Sequence, residues 1–549
     1  MINEYIIKQL LKKIPIKNQN EYFLKLKRKA SKKFGLPNPT NIEVLEVYRK
    51  MLKNKKIKPN KNIENLLITK KMRTLSGVAV IAVLTKPYPC PGTCKFCPNE
   101  KNMPKSYLSN EPAVMRAILT DFHPYKQVMA RLKSLEATGH KTDKIELIIM
   151  GGTFSYLPKQ YQTWFVKECF RACNETATVE TRQCLVSTTL KQLQKTNEKS
   201  EHRIIGLTLE TRPDYIDQKE IIRMRKLGAT RVELGVQSIY DDVLKLNKRG
   251  HSVAATIKAT RLLKEAGFKI NYHLMPNLPG SSCKRDLEMF KELFSNPDFQ
   301  PDMLKIYPCV VVKNAPIYKW LKTGKYKPYL DQELIELLAE IKKIIPYYVR
   351  ITRLIRDIPS TSIVAGNKVS NLRQVLKKKS EEEGWRCKCI RCREIRDKFI
   401  PRPAVEAGRD LPLLKLFRQD YNASGGREIF LSFEDRERKY LYSLLRLRIN
   451  KKTPPTPFAK GGEIIPALQN AAIIREIHTY GQMMPMKSKN KNSPQHIGLG
   501  KKLILEAEKI ARKEFNLKKI AVISGIGVRD YYRKLGYRLE DRYMVKKLK

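Results

Sequence analysis

The chain has 549 residues, 42% of them hydrophobic, with 108 Lys and Arg against 54 Asp and Glu, a net charge of +54. That length allows about three to four domains with large cores, and the composition excludes a disordered polymer. No run of ~18 apolar residues occurs, which excludes a membrane-spanning helix. The opening stretch MINEYIIKQLLKKIP lacks the apolar core and cleavage site of a signal peptide, so a cytoplasmic location is expected. Residues 1–75 hold 20 Lys and Arg and five acidic residues, interleaved with Tyr22, Phe23, Phe34 and Tyr48. They are expected to form a basic helical segment that binds RNA, lysines meeting phosphates and aromatics stacking on unpaired bases. The alternatives are a solvated basic face and, for the whole chain, heat adaptation. The latter normally raises glutamate in parallel, whereas here acids lag twofold.

From 76 to 365, strand and helix patterns alternate. Strands are predicted at 78–84, 145–150, 204–209, 231–236, 269–275 and 303–308, with amphipathic stretches such as 253–266 between them. Repeated βα units predict a parallel sheet or partial barrel whose site lies at the strand C-termini. Directly after the first strand comes Cys90-Pro-Gly-Thr-Cys94-Lys-Phe-Cys97. Three thiolates leave one iron of an iron–sulfur cluster open, unlike the saturated four-thiolate clusters of electron carriers. This spacing resembles the radical S-adenosylmethionine enzymes, in which methionine chelates the open iron. Gly151-Gly152-Thr153 after the second strand is similar to the glycine pair that contacts methionine in those barrels. Glu210-Thr-Arg212-Pro-Asp214 and Gly235-Val236-Gln237-Ser238 end the third and fourth strands. The chain has 11 cysteines, an odd number with six in two clusters, which argues for metal chemistry rather than disulfides. Cys169, Cys173, Cys184, Cys283 and Cys309 read as ordinary core thiols.

A linker at 366–410 carries Cys387, Cys389 and Cys392, a C-x-C-x2-C group suited to structural zinc. A fourth ligand must come from elsewhere, with His478 and His273 as candidates; a thiol-rich linker without metal is the alternative. Residues 411–549 change character, with strands expected at 429–433, 440–449, 471–481 and 518–523. Gln495-His-Ile-Gly498-Leu499-Gly500-Lys501 opens an amphipathic helix, a turn whose amides suit a pyrophosphate. This turn, with Asp530-Tyr531-Tyr532-Arg533, resembles the GNAT-type N-acetyltransferases, in which a tyrosine of this short helix protonates the departing CoA thiolate.

Taken in order, CPGTCKFCPNE, DKIELIIMGGTF, LTLETRPDYI, RVELGVQS, CKCIRCREI, REIHTYG, QHIGLG and SGIGVRDYYRKLGY resemble the catalytic subunit of Elongator, in its archaeal stand-alone form, along essentially the whole chain. The resemblance implies an α/β fold, a radical S-adenosylmethionine partial barrel (76–365) followed by a mixed α/β GNAT-like domain (411–549). It implies that Cys90, Cys94 and Cys97 bind a 4Fe–4S cluster. It also implies that Lys144, Glu476, Ile477, His478, Thr479, Leu499, Gly500, Lys501 and Tyr532 contact acetyl-CoA, with Tyr532 or Tyr531 catalytic. The implied reaction adds a carboxymethyl group to carbon five of the tRNA wobble uridine, using a radical derived from S-adenosylmethionine and the methyl of acetyl-CoA. The implied partners are a tRNA anticodon loop and an external electron donor; accessory subunits or a homodimer stay open. Two rival functions are a protein lysine N-acetyltransferase, with Glu476 as the one evident base, and a non-catalytic tRNA-binding scaffold.

Overall fold

The computed structural model describes residues 1–14, 18–70, 73–175, 188–396, 414–451, 465–481 and 498–549. Cys184 and Gln495 to Ile497 lie outside them. Four helices, Ile2–Lys13, Gln19–Phe34, Asn41–Lys53 and Lys61–Leu67, form the N-terminal part. Thr40 starts the third with a capping box shared with Glu43. Short amphipathic helices need large apolar side chains to hold one another, and Phe23 and Tyr48 serve that purpose. They are buried with Ile6, Leu10 and Val44, so these two aromatics do not present faces to bases.

The central sheet consists of β1 (Ala79–Leu84), β2 (Lys144–Met150), β3 (Arg203–Thr211), β4 (Arg231–Gln237), β5 (Lys269–Leu274), β6 (Met303–Ile306) and β8 (Arg350–Arg353). They lie side by side in chain order, all parallel. A parallel sheet wrapped in helices buries both faces, and every residue of β4 is buried. The sheet does not close. β1 and β8 are its edges, and the gap between them opens onto the lumen. A small ribbon, β7 (Val311–Val312) with β9 (Ile363–Ala365), lies outside it.

The second sheet runs β10 (Lys415–Ala423), β11 (Gly426–Glu434), β12 (Leu441–Asn450), β13 (Ala472–Thr479), β14 (Lys519–Val522), β16 (Tyr543–Lys547), β15 (Arg538–Glu540). It is antiparallel except for β13 with β14. Alternation along the strands serves two cores. Ile429, Leu431, Leu445 and Leu447 pack on the helix Leu499–Lys513. Phe430 and Leu444 face the other way and join the core of the first sheet. Arg446, Arg448 and Arg475 share that inner side, where Asp302 just before β6 and Glu428 of β11 accept them. Arg475 Nη1 is 3.0 Å from Asp302 Oδ1 and 2.9 Å from Glu428 Oε2. The loop after β14 presses onto β3 backbone to backbone; a Cβ on Gly525 would lie 1.9 Å from the Ile205 carbonyl oxygen. The two sheets are therefore locked through a shared core rather than strung on a linker. Among the described residues no helix is long and apolar enough to cross a membrane.

Candidate active site

The loop after β1 places Cys94 and Cys97 in buried positions and leaves Cys90 half-buried. The Gly92 amide donates to Cys90 Sγ at 3.4 Å, and Arg249 Nη1 lies 3.6 Å from Cys94 Sγ. Arg212 is fixed by Asp214 at 2.9 Å, and its buried Nη1, beside Gly92, has no hydrogen-bond partner. Two guanidinium groups thus surround thiols that would become anionic on binding metal, a setting that suits a thiolate-ligated cluster.

The second triplet is built differently. Cys387, Cys389 and Cys392 bring their Sγ atoms within 4.8 Å of one another, the sole such group among the described residues. A tetrahedral ion with metal–sulfur bonds of ~2.3 Å fits that spacing. The thiols of the first loop do not gather so tightly, in keeping with ligands of separate irons. Neither histidine candidate completes the second group. His273 is bonded to Glu233 at 3.0 Å, and His478 Nε2 donates to the Ser76 carbonyl at 2.8 Å.

Gly151 and Gly152 follow β2 with φ of +131° and +94°. A Cβ on Gly151 would fall 1.9 Å from Thr85 Oγ1, a buried hydroxyl with no partner. Gly151→Ala is therefore expected to cost about 1–3 kcal/mol through clash and strain. Thermal unfolding should show the loss, and adding Thr85→Ala should restore part of it; an unshifted single variant would contradict this geometry.

A cavity of about 730 Å³ fills the lumen of the first sheet. At the strand C-termini it reaches Phe96 of the cysteine loop, Met150 and Gln237. At the N-termini it reaches Glu476, Ile477, His478 and Tyr480 of the second sheet. The site is thus walled from both ends, whereas the βα pattern by itself pointed to the strand C-termini. Charges inside it are matched. Glu233 receives His273, Lys305 and Asn271, and although burial alone would raise its carboxyl, Lys305 and His273 hold it well below the usual range. Tyr107 donates to Glu210 at 2.9 Å, and burial and then Glu210 push its hydroxyl up. Arg231 pairs with Glu146, Arg350 with Glu394, and Arg356 with Glu111 across the gap. The His273–Glu233–Lys305 group was not read from sequence as part of the site. Its signal was an ionisable residue in each of three adjacent apolar strands.

At the other end, β13 pairs with β14 only through Ile474 and runs on to Thr479. Glu476 is bonded to Arg446 Nε at 2.8 Å and Lys269 at 3.4 Å. Burial would raise its carboxyl, but Lys269 and Arg446 outweigh that and hold it at about 2. A Cβ on Gly500 would meet Tyr531 Oη at 3.2 Å, Ile477 Cδ1 at 3.6 Å and Thr479 Oγ1 at 3.8 Å, so these residues converge. Leu499 is buried and Lys501 exposed at the start of their helix, behind Gly498 at φ +80°. Tyr532 is 4% exposed and packs on Tyr537, whereas Tyr531 is 39% exposed. Lys144 opens β2, and burial lowers its ammonium pKa against the pull of Asp143.

Residues 88–290 match the Radical SAM superfamily and 301–382 the Radical_SAM C-terminal domain. The chain is 48% identical over 523 residues to a tRNA uridine(34) acetyltransferase of Methanocaldococcus infernus, covering 94% of this chain and 93% of that one. It is 38% identical to the Elongator complex protein 3 of Homo sapiens, over 96% of this chain and 93% of that protein. A solved structure, the archaeal Methanocaldococcus infernus Elp3 with N-terminus deletion (1-46), superposes with a TM-score of 0.71 at 47% identity, covering 86% of this chain and 100% of that one. On identity of this extent, sustained across both sheets, the chain belongs to the Elongator protein 3 and tRNA uridine(34) acetyltransferase family.

Proposed function

We propose that the protein modifies the wobble uridine of tRNA, the activity named for its archaeal relatives, and that the product is 5-carboxymethyluridine with acetyl-CoA as the carbon source. The observation that carries this reading is the lumen, which joins the cysteine loop to the 476–480 segment within one cavity. Cys90, Cys94 and Cys97 would hold a 4Fe–4S cluster, with Gly151, Gly152 and Thr153 beside bound S-adenosylmethionine. Together these groups supply one-electron chemistry able to activate a methyl C–H bond. Carbon five of uridine is not acidic and bears no leaving group, which is why such chemistry is needed.

The remaining work falls to the chain. The second sheet would act as a GNAT-like holder of acetyl-CoA. Thr479, Leu499, Gly500 and Lys501 would line the approach, and the helix start would offer amides to the pyrophosphate. The run of β13 beyond β14 supplies an edge for an extended pantetheine arm. Tyr531 reaches the Gly500 turn and would hold the proton for the departing thiolate, with Tyr532 packed behind it. Lys144 would meet a CoA phosphate from the first sheet. Enclosure between the sheets limits side reactions with water. Cys387, Cys389 and Cys392 would bind structural zinc where the chain passes between sheets. Backbone bonds such as Ile390 N–H to the Val349 carbonyl, 2.9 Å, already pin this stretch. The basic N-terminal helices would hold the body of the tRNA.

The lysine N-acetyltransferase reading needs Glu476 as a base. A carboxylate held near 2 by two cations inside a lumen is poorly suited to that role. The deciding experiment is anaerobic incubation of cluster-reconstituted protein with reductant, S-adenosylmethionine, acetyl-CoA and tRNA, followed by nucleoside mass spectrometry. Carboxymethyluridine should form only when both small molecules are present. Acetyl transfer to a peptide that survives cluster removal would reject the proposal.

A further inference from the structure

Eleven basic and seven acidic side chains line the lumen, and each acidic one is already engaged by a hydrogen bond or an ion pair. Several arginines stand outside these pairs. Arg73, Arg116 and Arg131 make no side-chain hydrogen bond or ion pair with any described residue. They are also gathered: Arg73 precedes β1, Arg116 lies in the helix Pro112–Ile118, and Arg131 lies in the helix Pro124–Ala137. All three stand on the β1 side of the gap between the edge strands. Across that gap, the carboxylate of Asp357 is taken by Arg353. Burial, then Arg116 and Arg73, push the Arg131 guanidinium down to about 10, and burial and Arg73 lower Arg116 against the pull of Asp357.

Arg73 and Arg131 are half-buried and Arg116 is exposed, and like charges gathered this way are best relieved by an anion between them. Guanidinium groups grip phosphate oxygens through paired N–H donors. We propose that Arg73, Arg116 and Arg131 form a phosphate clamp at the lateral mouth of the lumen, gripping the RNA backbone beside the nucleotide whose base enters. This rests on the RNA-modifying function proposed above and adds to it the route of entry. A base that leaves its stack loses a few kcal/mol, and a backbone held at the mouth offsets that loss. CoA phosphates share the chemistry. Arg73 lies close in the chain to Ser76, which accepts His478 of the proposed CoA set, but Arg116 and Arg131 lie on helices that carry none of those residues, so this pair separates the two ligands.

The test measures binding of a tRNA anticodon stem-loop, and separately of CoA, to the full-length protein and to Arg116→Gln/Arg131→Gln, across a salt series. The double variant should bind the stem-loop about tenfold more weakly at ~0.15 M salt. Its plot of log affinity against log salt should be shallower by about 0.7 for each phosphate no longer neutralised. Arg116→Lys/Arg131→Lys should keep the wild-type salt slope, which a purely structural role would not predict. The ligand-free Gln variant should unfold at or above the wild-type temperature, because the repulsion is gone. Unchanged RNA affinity and slope would overturn the clamp, as would a lowered melting temperature restored by neither variant. Loss of CoA binding with RNA binding intact would assign the arginines to CoA and overturn it as well. If the wild type binds no RNA, both the clamp and the proposed function fail; if only the variants behave as wild type, the clamp alone fails.

Discussion

Cys94→Ser should bring carboxymethyluridine formation to background while tRNA binding stays within about twofold of wild type. Cys94 is 6% exposed and sits against Arg249, so its sulfur is shielded from bulk water. Serine removes the soft ligand with a minimal change of volume, and three thiolates leave none to spare. The reconstituted variant should lack cluster absorbance and produce no deoxyadenosine. Its thermal unfolding before reconstitution should change by no more than about 1 kcal/mol, because the thiol holds nothing together without metal. Retention of wild-type product levels would sink the assignment of the first triplet. Parallel loss of tRNA binding would show that the substitution damages the fold instead.

Asp302→Asn should be the most destabilising single substitution among the buried charges, by about 3–5 kcal/mol. Asp302 is fully buried and receives Arg475, with Lys264 at 3.7 Å and Arg446 at 3.6 Å. Neutralising it leaves Glu428 as the remaining carboxylate close to Lys264, Arg448 and Arg475. Burial would raise the Asp302 carboxyl, but Arg475, Lys264 and Arg446 outweigh it and hold it well below its ordinary value. Its folded value is thus depressed, so its contribution is complete well above the unfolded carboxyl pKa of ~3.9 and is lost progressively as pH falls from about 5 toward the depressed folded value. The variant should lack that acid-side slope. Lys264 has the opposite sign. Burial pushes its ammonium down to about 8, against the pull of Asp302 and Glu428. Its charge is therefore a cost below pH 8 that fades as pH rises toward the unfolded value. Lys264→Met should consequently be neutral or stabilising at pH 7. Denaturant unfolding at several pH values checks both variants, and equal destabilisation by the two would contradict this account.

The six aliphatic strands of the first sheet were legible because fully buried parallel strands are runs of Val, Ile and Leu. β8 was not, because Arg-Ile-Thr-Arg reads as a polar turn until Arg350 is seen against Glu394 and Arg353 against Asp357. β10 escaped for a related reason. It is an edge strand, Lys-Leu-Phe-Arg-Gln-Asp-Tyr-Asn-Ala, largely open to water and without one apolar face. The cysteine triplets and the glycine pair could be read from local spacing alone. The lock between the sheets could not. Arg446, Arg448 and Arg475 occupy positions that strand alternation assigns to solvent, and only the first sheet lying against them turns that face inward. The same holds for Tyr531 and Tyr532, which are neighbours in sequence but face the Gly500 turn and the core respectively.

The lumen also sets a length. Phe96 marks its one end and His478 the other, and between them runs β2, seven residues whose six steps of about 3.3 Å make roughly 20 Å. No bond forms across such a span, so reactants held at the two ends as proposed above would have to travel toward each other inside the protein. The lock of Asp302 and the backbone contact at Gly525 keep the ends from closing that distance by moving together. The barrel wall therefore works as a fixed gauge. A molecule anchored at one end takes part only if its own flexible arm is long enough to cross.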